Sequence, residues 1–594
     1  MPNRERQHHR SADVCRPHGS FADGIQRNPE APFRNIPTDL AERRFSIAFL
    51  ITYEIQLSTT IRYLLATWRY YTGDRPARSP MTFNSKVEAA WKFHNATKHS
   101  YASVHNNPHF LDWANQPLPF KAYTSLEPLA LPREVRQTGV AALSAIAESI
   151  HTDSTTVPDL EALAQLLYLT AGITRHRNYP GGDLHFRAAA CTGALYEVEL
   201  YVVCGNLVDL EAGVYHFSPA EFALRRLRTG DCRSRLNEAT ASETAVIHAP
   251  LIILCTCTYW RNAWKYQART YRHFGWDNGT LLANLLAVAT ALGIPAKVIC
   301  GFVDAEVNRL LDVHPDREVA FSVVALGHVA APARQPPSEI SPLDLESVPL
   351  SRNETVYPAM HEIHAASSLR SPEEVRTWRG HASLGKLPPT RGPIVPLHPY
   401  SDAEMPRDPI EQVILRRGSA RKFAQVSIGL SQLSTMLDRA TRGIPADFLD
   451  TQGTPLNSVY LIVSAVEGLE PGAYVYHRDG HMLECLKPGN FRSEAGHLGL
   501  DQQLPAEAAA DIFFLADLEM ILQRFGNRGY RAVQLEAGIL SGKLYLAAYA
   551  QRLSATGLTF YDDEVIRFFS PHAHGKSVTM LVATGKNEKS ALQK

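Results

Sequence analysis

The feature that most constrains this chain is an internal repeat that keeps its register from Leu210 to Gly327. The segment LEAGVYHF at Leu210–Phe217 returns as LEPGAYVY at Leu469–Tyr476, 259 positions later (from 210 to 469). The same displacement places Lys265–Gly279 on Arg524–Gly538, with the two arginines and the tyrosine of each KYxxRxYR-like segment aligned. Because composition alone cannot hold a register over such a span, the two halves must build the same fold.

The repeat also sets the domain boundaries. After one deletion the displacement is 258, and Phe302–Val307 then falls on Phe560–Val565 (from 302 to 560). In each half, apolar β-rich runs alternate with long helical patterns, which predicts an α+β domain. We therefore predict one domain over residues 81–328 and a second over residues 406–594, joined by a proline-rich linker at residues 329–405.

Residues 1–80 differ from the rest of the chain. They contain arginine but no lysine, and no apolar core of a signal peptide follows the first arginines. The apolar stretch after Phe45 is interrupted by Glu54 and Arg62, which favours an amphipathic helix over a membrane span. We predict a poorly structured leader and hypothesise that translation begins at Met81.

Composition excludes several classes of partner. Sixty basic side chains balance sixty acidic ones, so no global charge attracts the chain to nucleic acid or to a membrane. The eight cysteines lie mostly in apolar runs, which predicts buried thiols in a reducing cytoplasm rather than disulfides. Cys255 and Cys257 sit in a strand pattern, and the histidines of His361–His364 and His572–His574 lack ligand spacing, so no metal is expected.

Two segments could contact a ligand. In RRGSARKF (Arg416–Phe423), Arg417, Ser419 and Arg421 alternate along an extended segment and could grip one phosphate, although a solvated basic turn is an equal alternative. In the first half, the small residues of Ala188–Gly193 precede a strand and could let backbone amides approach a planar ring. A tight strand entry without a ligand explains that pattern equally well.

Three stretches together resemble the SagB-type dehydrogenases of the nitroreductase superfamily. They are FHNATKHSYASV with HFLDWANQPLPFKAY, then GITRHRNYPGGDLHFRAAACTGALYEVELYVV, and the KYxxRxYR motif followed by DxG. The resemblance covers residues 81–330 well and residues 406–594 as a weaker second copy. It implies two tandem FMN-dependent nitroreductase-like domains that pair as an intrachain pseudo-dimer and carry out two-electron chemistry at the flavin.

The resemblance also implies site residues. The cofactor-binding set is Arg417, Ser419 and Arg421 for the phosphate, Ala190, Cys191, Thr192 and Gly193 against the isoalloxazine, and Gly301 of GFVD near its reactive edge. Lys265 and Tyr266 match the proton-transfer pair of members that oxidise azolines in peptide natural products, against the alternative of a surface pair at a helix start. Cys191 stands where serine is usual, Glu197 where proline is usual, and the second copy has Arg524 and Phe525 instead of Lys-Tyr.

The two copies have complementary losses. Ile146 and Glu148 stand where the second copy has Arg417 and Ser419, and DTQGTPLN (Asp450–Asn457) replaces the small-residue segment. We therefore predict one FMN per chain, shared between the copies, with Gly301 as the residue that could instead mark a second flavin.

Three functions remain open at this stage. The chain could be an FMN-dependent dehydrogenase acting on a peptide-like azoline, an NAD(P)H-driven nitro or quinone reductase, or a catalytically silent scaffold that binds peptide. The absence of GxGxxG does not exclude NAD(P)H, because nitroreductase-like proteins bind it at the flavin. The sequence does not identify the small-molecule or peptide substrate.

Overall fold

The computed structural model describes residues 83–588, apart from 107–108, 152–153, 180–181, 331–339, 344, 381–386 and 450–454. The expected leader at residues 1–80 and most of the DTQGTPLN segment lie outside these described residues. The statements that follow concern the described part of the chain.

The first half contains an antiparallel sheet. The strands in chain order are β1 (Pro128–Ala130), β2 (Ile173–Tyr179), β3 (Gly182–Arg187), β4 (Val198–Cys204), β5 (Gly213–Ser218), β6 (Ala223–Thr229), β7 (Leu251–Thr258), β8 (Ala296–Ile299) and β9 (Glu318–Leu326). Seven of them form one sheet in the order β1-β6-β5-β4-β7-β9-β8, and β2 with β3 forms a separate antiparallel ribbon.

The second half repeats this arrangement. Its strands are β10 (Ile394–Pro396), β11 (Ile428–Gly429), β12 (Asn457–Val463), β13 (Val466–Glu467), β14 (Gly472–His477), β15 (Met482–Pro488), β16 (Ala510–Ala516), β17 (Ser554–Leu558) and β18 (Ser577–Gly585). The second seven-stranded sheet has the order β10-β15-β14-β12-β16-β18-β17, while β11 pairs with β13. Each strand of the second sheet occupies the place of its repeat partner in the first, so the α+β prediction is confirmed.

Helices surround the two sheets. The described α-helices are α1 (Glu88–Ala96), α2 (Tyr101–His105), α3 (Ala142–Ala145), α4 (Leu160–Ala171), α5 (Arg233–Ala239), α6 (Thr244–His248), α7 (Tyr259–Tyr266), α8 (Thr270–Ala291), α9 (Asp304–Leu311), α10 (Pro358–Ala366), α11 (Pro372–Trp378), α12 (Ile410–Arg416), α13 (Leu430–Thr441), α14 (Arg492–Leu498), α15 (Gln503–Glu507), α16 (Leu518–Phe525), α17 (Arg528–Ala550) and α18 (Asp562–Phe569). Among them, none combines the length and the apolar character that a membrane crossing requires.

The long helices α8 and α17 pack against each other and are buried along almost their whole length. Their crossing depends on glycine. A Cβ added to Gly279 would lie 2.5 Å from the Cα of Gly538, and one added to Gly275 would lie 2.4 Å from the Cβ of Gln534. Because atoms at such distances overlap, these glycines allow the two repeats to meet backbone to backbone.

Across this interface, an aspartate of each repeat forms ion pairs with two arginines of the other repeat. Asp304 of the first repeat bonds Arg528 and Arg531 of the second, each at 2.7 Å. The register maps Asp304 onto Asp562 and these arginines onto Arg269 and Arg272. Asp562 in turn bonds Arg272 at 2.7 Å and Arg269 at 3.2 Å. The buried charges of the interface are therefore arranged with approximate twofold symmetry, because equivalent aspartates pair with equivalent arginines.

The segment predicted as a linker takes part in the second repeat. Helix α10 lies within residues 329–405, and its His364 contacts Tyr271 at 3.4 Å, as His94 of α1 contacts Tyr530 at 3.3 Å. Strand β10 forms the edge of the second sheet through β15. The predicted boundary at residue 406 is thus too late. Proline density hid these elements because proline also begins α10 and α11.

The cysteines of the described residues follow the prediction of buried thiols only in part, because four are buried (Cys204, Cys255, Cys257 and Cys300) and three are half-buried (Cys191, Cys232 and Cys485). Cys255 and Cys257 lie on β7, a fully buried central strand. The seven cysteines of the described chain are all free thiols.

Candidate active site

The predicted phosphate segment of the second repeat meets the small-residue loop of the first. Arg417 donates from Nε to the carbonyl of Ala188 at 3.0 Å and from Nη2 to the carbonyls of Ala188 and Arg187 at 2.8 and 3.1 Å. Arg175 of the β2–β3 ribbon donates to the carbonyl of Arg417. These contacts bring together two segments that the sequence separates by 229 residues.

Ser419 is held by elements of its own repeat. Its Oγ lies 3.3 Å from the hydroxyl of Tyr545 on α17, and that hydroxyl accepts the N–H of Gly557 at 2.5 Å. The N–H of Ala420 donates to the carbonyl of Ala555 on β17 at 3.0 Å. The extended segment after α12 is therefore fixed between α17 and β17.

Lys265 and Tyr266 occupy the last turn of α7. The helix ends at Gln267, which has a φ of 51°, where the register places Gly526 with a φ of 63° in the second repeat. Glycine adopts this left-handed conformation without strain, whereas glutamine does so at a cost. The turn fixes the direction in which the two side chains of the pair leave the helix.

Arg421 of the second repeat is near enough for its charge to act on this pair. Burial lowers the pKa of Lys265, and the positive charge of Arg421 lowers it further. Burial raises the pKa of Tyr266, as do the negative charges of Asp277 and nearby acids, while Arg421 opposes the rise. The structure therefore gathers the predicted proton-transfer pair beside one of the predicted phosphate-binding arginines.

The small-residue loop lies on the other side of Tyr266. A Cβ on Gly193 would lie only 2.8 Å from the hydroxyl oxygen of Tyr266, so a larger residue would collide with the phenol. Thr280 of α8 donates to the carbonyl of Ala190 at 2.7 Å. Thr192 donates from its N–H and its hydroxyl to Asp277 at 2.8 and 2.9 Å.

An acid cluster, defined as Cys191, Glu197 and Asp277, lies beneath this loop. The Cys191 Sγ is 3.5 Å from a Glu197 oxygen and 3.3 Å from an Asp277 oxygen. Burial raises the pKa of all three groups, and their mutual repulsion raises those of Cys191 and Glu197 further. In the described residues these three ligand-type atoms lie within 4.8 Å of one another. The sequence predicted no metal here, and it also gave no sign of the cluster.

Gly301 contacts a different set of residues from those of the candidate site. Its N–H and that of Cys300 donate to the carboxylate of Asp447 at 2.9 and 2.8 Å, and a Cβ on Gly301 would lie 2.9 Å from the ring of Trp378. The structure thus does not support the assignment of Gly301 to the same site. Its backbone donor is already used by an aspartate of the second repeat.

The repeat register identifies a residue that sequence reasoning missed. The displacement of 258 places Thr559, directly after β17, at the position equivalent to Gly301. The Thr559 hydroxyl is buried and has no hydrogen-bond partner among the described residues. The signal was available, because a site with its phosphate segment in the second repeat should draw on the second copy of this loop.

The equivalent place in the other half of the chain lacks the arginines. A small cavity lies there, with Ser149, Ile150 and Lys543 among its lining residues. Lys543 donates to the carbonyls of Arg442 and Gly443 at 3.0 Å each, and burial lowers its pKa to about 7. The one lysine of this cavity is therefore already bonded and only weakly positive at neutral pH.

The register at this cavity differs from the one predicted. Reciprocal backbone bonds join Ala142 to Asp408 and Ile410 to Val140. By this pairing, the residue of the first repeat that is equivalent to Arg417 is Ser149 rather than Ile146. The conclusion that the first copy lacks the arginine–serine–arginine pattern is unchanged, because no arginine stands at either position.

The residues gathered at the candidate site suit an anionic planar ligand. In the described residues neither Lys265 nor Arg421 has a carboxylate partner within ion-pair distance, and Arg417 bonds only carbonyls. Unneutralised cations next to a glycine-containing loop and a buried, unpartnered threonine hydroxyl fit a phosphate joined to a flat ring.

Comparison with known proteins shows similarity to nitroreductases in the first half of the chain. The profile of the nitroreductase family matches residues 152–328. A Methanocaldococcus jannaschii protein named as a nitroreductase is 25% identical over 154 residues, which are 26% of this chain and 74% of that protein. The microcin B17-processing protein McbC of Escherichia coli is 28% identical over 153 residues, 25% of this chain and 52% of McbC, so the match spans about half of McbC.

A solved structure resembles a larger part of the chain. A crystal structure described as a nitroreductase from Anabaena variabilis ATCC 29413 superposes with a TM-score of 0.67 at 25% sequence identity. The superposition covers 84% of this chain and 99% of the other. Because neither repeat alone makes up 84% of the chain, this similarity includes both sheets.

Proposed function

We propose that the whole chain, of which residues 152–328 match the profile of the nitroreductase family, is an FMN-dependent oxidoreductase with one flavin held between its two repeats. The observation that carries this proposal is the contact of Arg417, from the second repeat, with the carbonyls of Arg187 and Ala188 in the first. The charge of Arg421, also from the second repeat, acts on Lys265 and Tyr266 of the first. A site built from residues of both repeats explains why neither copy retains a complete set of flavin-binding residues.

We propose that the second repeat is a divergent nitroreductase-like domain and that the pair forms an intrachain pseudo-dimer. The matching strand orders, the exchanged pairs of Asp304 and Asp562, and the superposition over both sheets support this. Each aspartate pairs with the equivalent arginines of the other copy. This pattern is typical of an interface between two identical partners, which favours an origin of the two repeats as such a pair.

In this proposal Ser419 and Arg421 bind the FMN phosphate, with Arg417 holding the phosphate segment against the first repeat. Ala190–Gly193 lie against the ring, and Thr559 replaces Gly301 at its edge. Bound FMN supplies two-electron chemistry by accepting or delivering a hydride. The protein supplies binding, orientation and proton transfer.

Lys265 and Tyr266 have distinct roles in this proposal. A lowered pKa increases the neutral fraction of the Lys265 amine, so Lys265 can accept a proton from a substrate carbon as a general base. The raised pKa of Tyr266 keeps its phenol protonated, so Tyr266 donates a hydrogen bond and passes a proton on. Both groups lie at the end of α7, where a substrate can reach Lys265 from solvent.

For the reaction we propose oxidation of an azoline in a peptide to the azole. The similarity to McbC, whose name describes processing of microcin B17, supports this substrate class. The alternative is a nitro or quinone reductase that draws electrons from NAD(P)H. The matched Methanocaldococcus and Anabaena proteins, both described as nitroreductases, favour that alternative.

Two assays decide between these reactions. An azoline-containing peptide incubated with the FMN-loaded protein should lose 2 Da by mass spectrometry, the mass of the two hydrogens removed. NADPH oxidation with nitrofurazone or menadione should remain at the rate of free FMN. Rapid NADPH-driven reduction without any change in the peptide would overturn the azoline proposal and establish the reductase. Inactivity in both assays despite bound FMN would support a silent scaffold.

A further inference from the structure

Two departures from the SagB-type pattern meet in space. Cys191, where serine is usual, and Glu197, where proline is usual, both lie against Asp277 of α8. Neither change is needed for a strand entry, and proline could not have brought an acid to this place. Their meeting at one carboxylate indicates a function of the acid cluster that is particular to this chain.

The loop above the cluster is strained. Gly193 has a φ of 63°, and Ala194 and Tyr196 both have a φ of 55°. The left-handed region costs a residue with a side chain about 1–2 kcal/mol, so Ala194 and Tyr196 adopt it only where other contacts hold them. The loop therefore needs a tether.

Asp277 and Cys191 supply that tether. Asp277 accepts both the N–H and the hydroxyl of Thr192, and the Cys191 Sγ accepts the N–H of Tyr196 at 3.0 Å. The tethered shape sets Gly193 against the hydroxyl of Tyr266. Loss of these bonds would let the strained residues relax and would move Gly193 away from Tyr266.

The tether requires a proton. Glu197 and Asp277 are buried, and a carboxyl oxygen of each lies within 4.8 Å of the other and of the Cys191 Sγ. One carboxyl oxygen of Glu197 has no hydrogen-bond partner among the described residues. Two ionised carboxylates this close in a buried place would repel each other, so the pair holds one proton. The acidic groups that face the pair are Cys191, Cys257 and Tyr266. Two cations lie in this neighbourhood. Arg187 acts on Glu199, Tyr196 and Cys191, and Arg421 acts on Lys265 and Tyr266, while neither arginine is among the causes that shift the pKa of Glu197 or Asp277.

We infer that Glu197 and Asp277 are positioning residues that act as a proton-dependent tether. While the pair shares one proton, Asp277 holds the loop of residues 191–196 in the shape that presents Gly193 to Tyr266. When that proton leaves at alkaline pH, the two carboxylates repel each other and the loop is released. The catalytic meaning of this shape rests on the proposed function, whereas the tether itself does not.

In the second repeat, the equivalent carboxylate binds the strand entry without a second acid beside it. Asp277 corresponds to Glu536, which accepts the N–H groups of Leu456 and Asn457, each at 2.9 Å, and the side-chain amide of Asn457 at 2.7 Å. Leu456 stands at the position of Glu197. The shared feature is a carboxylate on the long helix that binds the strand entry, and only the first repeat adds a second acid to it.

The direction of the pH effect follows from burial. Burial and the charge of Asp277 raise the pKa of Glu197 well above its usual value. The tethered loop thus keeps a proton that the released loop gives up. Opening becomes more favourable as pH rises through the range between the two values, by up to about tenfold per pH unit for one proton.

Hydrogen exchange measured by mass spectrometry tests this on the full chain, with and without saturating FMN, between about pH 6.5 and 9.5. Protection of peptides covering residues 188–200, corrected for intrinsic exchange, should fall by up to tenfold per pH unit in the wild type. Glu197→Gln and Asp277→Asn remove the ionisation but keep hydrogen-bonding groups, so they should hold protection constant. Glu238→Gln, an exposed glutamate of the same repeat, should behave as the wild type does.

Several results would overturn the inference. Wild-type protection that is independent of pH would do so even if both variants failed to fold. So would a Glu197→Gln chain that loses protection in parallel with the wild type. A stoichiometric metal ion found by mass spectrometry, with protection that falls on adding EDTA, would make the acid cluster a metal site instead. A chain that binds no flavin would end the proposed function, while the exchange data would still decide the tether.

Discussion

Asp304 accepts a 2.7 Å hydrogen bond from Arg531 across the interface between the repeats, and both side chains are buried. The same aspartate bonds Arg528, and Arg531 also donates to the carbonyl of His364 at 2.9 Å. The repeat partners of this pair, Asp562 and Arg272, form the mirror contact. The interface therefore contains two equivalent charge clusters. In one, the aspartate comes from the first repeat and the arginines from the second, and in the other the reverse holds.

Asp304→Asn should destabilise the chain by about 3–5 kcal/mol, because it leaves two buried arginines without a countercharge. Asp562→Asn should cost a similar amount, since its arginines are equally buried. Urea unfolding followed by circular dichroism measures both. Glu362→Gln, which breaks an exposed ion pair with Lys92, is the control and should change stability by less than about 1 kcal/mol. Equal small losses in all three variants would show that the exchanged pairs do not hold the repeats together.

Lys265→Ala and Tyr266→Phe should each lower turnover by about 10²–10⁴-fold while FMN stays bound, as expected for general acid–base groups. Activity should rise with pH through the pKa of Lys265, which burial and Arg421 lower. Arg421→Gln, assayed at saturating FMN, should move this rise to higher pH because one of the two causes is removed. Rates unchanged by both substitutions would return Lys265 and Tyr266 to a structural role at the end of α7.

Arg417 and Arg421 should separate in their effects. Arg421 is exposed and has no carboxylate partner in the described chain, so Arg421→Ala should weaken FMN binding at least tenfold with little change in unfolding midpoint. Arg417 is buried against the carbonyls of Arg187 and Ala188, so Arg417→Ala should lower both flavin affinity and stability. Lys422→Ala, an exposed neighbour paired with Glu588, is the control. Riboflavin affinity should not fall in Arg421→Ala, because riboflavin has no phosphate.

Asp511 offers a test of burial unconnected with the site. It is fully buried on β16, and neither of its carboxyl oxygens has a hydrogen-bond partner among the described residues. Burial raises its pKa well above the usual value, against the opposing charge of Arg492. The folded chain therefore holds a proton that the unfolded chain releases above about pH 4, and stability falls as pH rises from there to the folded pKa.

Asp511→Asn should remove that pH dependence. We expect the variant to exceed the wild type by about 1–3 kcal/mol at pH 8 and to match it at pH 4. Urea midpoints at the two pH values measure this. A variant that is less stable than the wild type at pH 8 would show that Asp511 is ionised and paired in the folded chain.

The sequence predicted the parts of the structure that depend on the repeat. The register aligned Arg269 and Arg272 with Arg528 and Arg531, and the strand orders of the two sheets coincide. It also makes Thr559 the counterpart of Gly301, and the place of either residue at the flavin stays a prediction.

Other features could not be predicted from the sequence. The contact of Glu197 with Asp277 joins two residues of different elements whose spacing follows no helical or strand period. The helices α10 and α11 are short, and proline at their first turns gave the same signal as a linker. The strain at Ala194 and Tyr196 follows from tertiary contacts with α8, which local propensity does not report.

The central claim is that the two repeats share one flavin. Titration of the FMN-free chain with FMN, followed by quenching of flavin fluorescence, tests it most directly. The account predicts a colourless chain that becomes yellow, a stoichiometry of one FMN per chain, and loss of that binding in a Ser419→Ala, Arg421→Ala double variant. Two FMN per chain, or one that survives in the double variant, would contradict the shared site, and no binding at all would contradict the flavoprotein itself.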